Sequence, residues 1–457
     1  MPESRLRWVL IAASVALCMV QLDFFALNQS LPKMADDLDV STVDLQWVIS
    51  GYMLALAAFL IPGGRLGDIL GRRRMLVAGI CLFAGASTVC GLAPSPALII
   101  GFRIVQGIGA AIMFPLCVGV VSNAFPAERR GRAIGNLYGL AAVATAVGPF
   151  FGGAITGALS WRYVFLVNLP VGLIAILLIL RFVDESRDES VPRHIDTAGL
   201  AAIALGVAAI TFAVDRAEDW GIGSLRLLAL FAAGLALLFA FVAIERRARF
   251  PLVDLKLFSN RPYVLITVLG TIGNVVFVTT TFTAALYLQQ VKGLSPVAAG
   301  AAFLPASVAT SVMGPLSGRL GERFDIPRTM ILALCLGAPG LVLVASGPAL
   351  GPYMLGLIVF GGGYGLTWSM VSVGTQAVVP PEQTGGASGV TLAVVIGIAG
   401  LSVAASAAIV QAITHGGTTE GDAIQSVLLA LVAGSVVLGL GLLAVTRRMP
   451  RIVTTAA

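Results

Sequence analysis

Charge is scarce in this chain. Of its 457 residues only 11% are Asp, Glu, Lys or Arg, while 58% are hydrophobic. A soluble globular protein carries about 25% charged residues. Two or three soluble domains cut from this length would have too little charge to cover their surfaces, so lipid is the better solvent. Lysine is nearly absent: Lys33, Lys256 and Lys292 are the only three, and none follows a glycine. A phosphate-binding loop needs Gly-Lys-Ser/Thr, so ATP is excluded as the energy source. The two histidines, His194 and His415, lie far apart in polar loops, which leaves no Ser/His/Asp relay and no zinc set. Five cysteines (Cys18, Cys81, Cys90, Cys117, Cys335) fall inside apolar runs without ligand spacing and read as small packing residues. The expectation is a protein that is no enzyme, holds no metal and needs no cofactor.

What the chain does have is long apolar runs. A spanning helix needs about 20 mostly apolar residues. Runs bounded by polar residues, glycine or proline fall at 8–31, 46–62, 75–93, 97–122, 133–157, 163–182, 197–214, 225–244, 262–289, 296–316, 328–346, 351–374, 388–412 and 424–446. That predicts fourteen spans. The first is too long, and lacks the small-residue cleavage site, for a removed signal peptide, and reads as a helix that stays.

Orientation follows from the basic residues. With the N-terminus inside, 23 of the 29 lysines and arginines fall in inner segments, five in outer ones, and Arg103 inside a span. Both termini are therefore expected in the cytoplasm, in a multi-pass protein of the cell inner (plasma) membrane. The formal net charge of +6 then needs no nucleic acid, because the basic segments face an anionic leaflet.

The densest basic segment is GGRLGDILGRRR, Gly63 to Arg74, with four arginines, four glycines and one aspartate. It has an echo, GRLGERFDIPR, from Gly318 to Arg328. Each follows the second helix of a group of six. Residues 1–182 and 251–457 thus read as two related six-helix halves, with two inserted helices in 183–250. Internal repeats of this kind mark secondary transporters, with the substrate site between the halves.

Gly64, Asp68, Gly71, Arg72 and Arg73 match the loop between helices 2 and 3 of the major facilitator superfamily, which this chain resembles. Further stretches extend the resemblance. RIVQGIGAA (Arg103–Ala111) resembles the fourth-helix motif. Gly135, Gly148, Pro149, Gly152 and Gly153 resemble the fifth-helix motif associated with antiporters, with Ala144 in place of one glycine. WRYVFLVNLPVG, LDFFALNQSLP and LQWVISGYMLALAA resemble the fourteen-helix drug:proton antiporter branch. The implied fold is all-α, integral to the membrane and major-facilitator-like. The implied role of the Gly64–Arg73 segment is a cytoplasmic gate, with Asp68 receiving arginine and helix dipoles. A basic topology anchor is its plainer reading. In the second copy Glu322 stands at the aspartate position and Asp325 at the second glycine, which weakens that latch.

An ion-driven carrier needs a titratable group in the membrane, where such residues are expensive. Asp23 lies 15 residues after Trp8, roughly 22 Å from one face at about 1.5 Å per residue. Arg103, six residues into a helix running the other way, lies roughly 9 Å from the opposite face. Across a core about 30 Å thick the two are nearly level. A paired Asp23 and Arg103 would offset each other's desolvation, either as a proton-coupling site or as a static structural pair. The resemblance implies the coupling role.

Polar residues on the spans are candidate cavity lining: Gln21, Asn28, Trp47, Tyr52, Gln106, Thr271, Asn274, Tyr364 and Trp368. The other reading of each is helix–helix glue. Apart from Asp23 no carboxylate lies well inside a span, which favours a neutral or singly charged amphipathic cargo. The expected function is proton-coupled export of such molecules, drugs or toxic natural products, by alternating access. Its expected partners are a small-molecule substrate, protons and the lipid bilayer, with no obligate protein partner. A proton-coupled metabolite symporter shares the fold, but the fifth-helix motif speaks against it. A lipid-handling membrane protein is the third class, and the buried ion pair speaks against that.

Overall fold

The computed structural model describes residues 2–41, 44–187, 196–221, 223–248, 253, 255–347, 349–379, 384–446 and 451–452. The described residues contain fourteen helices long and apolar enough to cross a membrane. Spans 1 to 6 are Glu3–Leu27, Trp47–Leu70, Arg72–Leu92, Pro96–Ala124, Asn136–Ala158 and Arg162–Phe182. Spans 7 and 8 are Thr197–Val214 and Leu225–Arg247. Spans 9 to 14 are Arg261–Val291, Pro296–Gly314, Ile326–Ala345, Leu350–Val378, Ala387–His415 and Glu420–Ala444.

The helices begin where polar caps and prolines demand it. Ser224, Asn260, Ser295 and Asp325 each accept a hydrogen bond from the backbone three residues on, which satisfies an amide that the helix start leaves unpaired. Inside the spans, Pro62, Pro115, Pro149 and Pro339 interrupt the hydrogen-bond ladder, a break that membrane helices tolerate because other groups can satisfy the freed carbonyls.

In the first group of six, span 2 packs along span 4, span 4 along span 3, and span 1 along spans 5 and 6. In the last group, span 10 and span 11 pack on span 12, and span 9 packs on spans 12 and 13. The two groups meet through span 5 against span 10 and span 2 against span 13. Spans 7 and 8 pack on each other, and span 7 leans on spans 2 and 13, beside the seam between the groups.

Several expected boundaries move; span 1 ends at Leu27 instead of 31 and span 12 at Val378 instead of 374. Span 2 runs through Gly63, Gly64 and Gly67 to Leu70, eight residues beyond its expected end. The turn to span 3 shrinks to Gly71, whose φ of +112° is a conformation that side chains rarely adopt. Charge at a helix end ended the apolar run early without ending the helix. Span 9 continues to Val291 through a π-helical turn, Tyr287–Val291.

Candidate functional site

Asp23 and Arg103 meet at the centre of the first six-helix group. The Arg103 side chain is 0% exposed and that of Asp23 1%, and Arg103 Nη1 donates to Asp23 Oδ2 at 2.6 Å. Nη1 also donates to Gln106 Oε1 (2.9 Å), and Nε donates to the Val48 carbonyl (2.8 Å). The second carboxylate oxygen is equally occupied. Asp23 Oδ1 accepts from Gln106 Nε2 (3.0 Å) and Asn168 Nδ2 (2.7 Å). Asn168 is held in turn by Ser87 Oγ at 2.9 Å, and Ser87 donates to the Phe165 carbonyl. The guanidinium also lies over the Tyr52 ring, 4.1 Å from its centroid. Spans 1, 2, 3, 4 and 6 therefore converge on one carboxylate, which is how a buried charge pair avoids unpaired lone pairs.

The expected pairing of Asp23 with Arg103 is present. Gln106 belongs to this network rather than to the cavity wall. Asn168 and Ser87 were not singled out from sequence, although an asparagine inside the apolar run WRYVFLVNLPVG is a visible signal.

Next to this network, between the two groups of six, is a cavity with an empty volume of about 640 Å³, counting its open mouth. Gln21, Tyr52, Asn274 and Trp368 line it, as expected from sequence. Phe24, Phe25, Phe114, Phe277, Thr145 and Thr310 complete most of the wall, and among the described residues no lining side chain is charged. Those aromatics carry no periodic signal, because their helices are apolar all round.

The remaining polar candidates face elsewhere. Asn28 bonds back to the Phe24 carbonyl, and Trp47 packs on Phe212 of span 7. Thr271 donates to the Thr267 carbonyl one turn earlier. The Tyr364 hydroxyl pairs with Ser435 of span 14 at 3.0 Å. These four hold helices together or satisfy their own backbone, the alternative reading of such residues.

Span 5 closes one end of the seam. A side-chain carbon added at Gly152 would strike the Ala26 carbonyl of span 1, and one at Gly153 the Pro296 carbonyl of span 10. Gly148 meets Phe25 in the same way, and Gly300 of span 10 fits against the Pro149 carbonyl. Gly135 lies on the same helix as Gly148, Ala127–Ala158, nearer its start. At the same end Gln289, in the π-helical turn, donates to both the backbone carbonyl (3.1 Å) and the side-chain oxygen (3.0 Å) of Gln29.

At the basic end, Asp68 Oδ1 accepts from Arg72 Nε (2.9 Å) and lies 2.8 Å from Arg72 Nη2. The span 3 amides are not capped by Asp68. Glu185, just past span 6, accepts from the Arg73 and Arg74 amides, and Arg73 Nη2 reaches the Leu180 carbonyl. These partners lie in the first group of six or, for Glu185, in the chain just after it, so the segment clamps that group and makes no contact with the last group of six through them. Gly64 packs against Pro115 of span 4. In the echo, Asp325 caps span 11 through the Arg328 amide and also accepts from the Ile452 amide at 2.8 Å. A capping residue has taken the place of a glycine.

Comparison with known proteins agrees with this architecture. The chain is 34% identical over 399 residues to the tetracenomycin C resistance and export protein of Streptomyces glaucescens, covering 85% of this chain and 73% of that protein. It is 34% identical over 392 residues to the multidrug resistance protein Stp of Mycobacterium tuberculosis, covering 83% and 71%. A crystal structure of the peptide transporter POT in complex with sulfate superposes with a TM-score of 0.71 at 15% identity, over 98% of this chain and 96% of that one. The Major Facilitator Superfamily description matches residues 13–405. With fourteen spans, two groups of six and a shared cavity, this chain is a multi-pass membrane transporter that belongs to the major facilitator superfamily.

Proposed function

We propose that the chain exports amphipathic small molecules, drug-like compounds or toxic natural products, in exchange for protons. The observation that carries this reading is the juxtaposition of an uncharged aromatic cavity with a fully buried Asp23–Arg103 pair. The relatives' names, an export protein and a multidrug resistance protein, point the same way.

Asp23 carries the proton. Protonation removes the anion from Arg103, and the network from Gln106, Asn168 and Val48 can then rearrange. A proton crossing 100 mV yields about 2.3 kcal/mol. At about 1.4 kcal/mol per tenfold ratio, one proton per neutral molecule sustains a gradient of roughly 40-fold from that voltage alone.

Residues 1–182 and 251–457 act as the moving halves, with 183–250 inserted between them. The basic ends and both termini face the cytoplasm of a cell inner membrane, on the strength of the positive-inside bias. The seam that spans 5 and 10 close is then the outward one, and the clamp of Asp68, Arg72 and Glu185 is a part of the cytoplasmic gate.

The test is growth of a strain stripped of its own pumps, with and without this chain, across tetracenomycin C, ethidium and other antibiotics and dyes. Protection by the wild type and none by Asp23→Asn is the expected pattern. Protection against no compound in the panel overturns the export reading.

A further inference from the structure

The Asp23–Arg103 pair and the cavity share one side chain. Tyr52 lines the cavity, and its ring also supports the guanidinium of Arg103, 4.1 Å above the centroid. Asp23, Arg103, Gln106, Asn168 and Ser87 are absent from the cavity wall. Phe24, the neighbour of Asp23 on span 1, stacks near-parallel to Tyr52 with centroids 5.9 Å apart, and it lines the cavity too. Whatever occupies the cavity against span 2 therefore touches the ring on which Arg103 rests.

A second observation shows what the ring does for the arginine. Arg103 is wholly buried, and its Nη2 has no hydrogen-bond partner, while Nη1 and Nε are fully used. The Tyr52 hydroxyl is likewise buried without a partner. The ring thus meets Arg103 through its π face rather than through its oxygen. An aromatic face attracts a cation most strongly where water is excluded. When Asp23 is neutralised, Arg103 keeps Val48, Gln106, the Tyr52 ring at 4.1 Å and the more distant Phe165 ring at 5.9 Å. A buried cation without counter-charge is costly, and Tyr52, the nearer ring and the one that also lines the cavity, is the support that lets the protonated state persist.

We propose that Tyr52 is the positioning residue that couples cavity occupancy to the protonation of Asp23. This rests on the export reading above and on Asp23 as the proton carrier. A planar or apolar substrate pressing on Tyr52 and Phe24 moves the ring from under Arg103. Without that support the unpaired cation needs its counter-charge again, so Asp23 gives up its proton and pairs with Arg103. In the empty, protonated state the ring holds the arginine in place.

The experiment uses the full chain in proteoliposomes, with a panel compound that the wild type exports, ethidium first because its fluorescence reports its concentration. Two quantities are read: protons moved per molecule under an imposed pH gradient, and downhill exchange without one. Tyr52→Leu and Tyr52→Met, two ringless variants, are compared with Tyr52→Phe, which keeps the ring and loses only the unpartnered hydroxyl. The expected result is that both ringless variants lose uphill accumulation by about tenfold or more beyond whatever exchange they lose with the cavity-wall ring. Tyr52→Phe keeps the wild-type proton ratio.

A wild-type proton ratio in either ringless variant that still exchanges overturns the role of Tyr52 and leaves Asp23 standing. Equal loss of exchange and accumulation in both reduces the ring to a binding wall and also overturns it. Loss of coupling in Tyr52→Phe as complete as in Tyr52→Leu moves the role to the hydroxyl and overturns the ring. A wild-type proton ratio in Asp23→Asn removes the carrier on which the proposal rests.

Discussion

One carboxylate receives three hydrogen-bonded side chains here, and that sets what single substitutions do. Asp23→Asn copies the neutral acid in shape. It should abolish proton-driven accumulation while sparing downhill exchange, read as substrate-induced proton release in everted vesicles. Unchanged release and accumulation would send the search to acids at the span ends, first to Asp44 in the short turn Asp44–Gln46 that leads into span 2. Arg103→Ala leaves a buried charge unpaired, a loss of about 3–5 kcal/mol when one partner of a buried pair is removed. Its thermal unfolding midpoint in detergent should fall by several degrees, and the double variant Asp23→Asn/Arg103→Gln should recover part of that loss. Asn168→Ala removes a charge-assisted hydrogen bond of about 1.5–3 kcal/mol, so transport should drop about tenfold without loss of folded protein. Transport equal to wild type would demote Asn168 to a packing residue.

At the scale of elements, closure of the seam depends on how near spans 5 and 10 can approach. Gly153 faces the Pro296 carbonyl with no room for a β-carbon, so Gly153→Val should hold the two helices apart. The Gln289–Gln29 contact at the same end gives the readout. In a background without the five native cysteines, Gln29→Cys with Gln289→Cys should cross-link and stop transport until reduced. Adding Gly153→Val should lower the cross-linked fraction several-fold. Equal cross-linking would mean that this contact forms independently of the glycine. The basic clamp makes a separate claim. Asp68 holds two nitrogens of Arg72 with one oxygen, a fork that lysine lacks. Asp68→Asn should cut transport strongly and Arg72→Lys less, with expression and insertion preserved. Full activity in both would leave the segment a topology anchor.

For the whole molecule the prediction is topological. Cysteines placed at Ser224 and Ser295 should react with a membrane-impermeant reagent from outside the cell, and one at Ser259 only from the cytoplasm. Outside labelling at Ser259 would break the proposed orientation and, with it, the assignment of the closed seam to the outer face.

The number and placement of spans were legible in the sequence because lipid imposes one rule on every segment: each backbone group must be satisfied within its own helix, so apolar length alone marks a span. Asp23 and Arg103 were legible for the related reason that charge inside such a run needs a partner. Proline and serine marked helix starts, but helix ends carrying arginine and glycine were hidden, as Gly63 to Leu70 show. Only the tertiary structure decided which polar residues face the cavity. Tyr364 and Trp368 lie four residues apart on span 12, yet one bonds to Ser435 and the other lines the cavity. In a helix with apolar neighbours on every side, hydrophobicity has no preferred face, and only the positions of the other helices choose one. The same holds for Tyr52. Its sequence neighbours place it on a span, and only the packing of spans 1, 2 and 4 sets its ring between the arginine and the cavity.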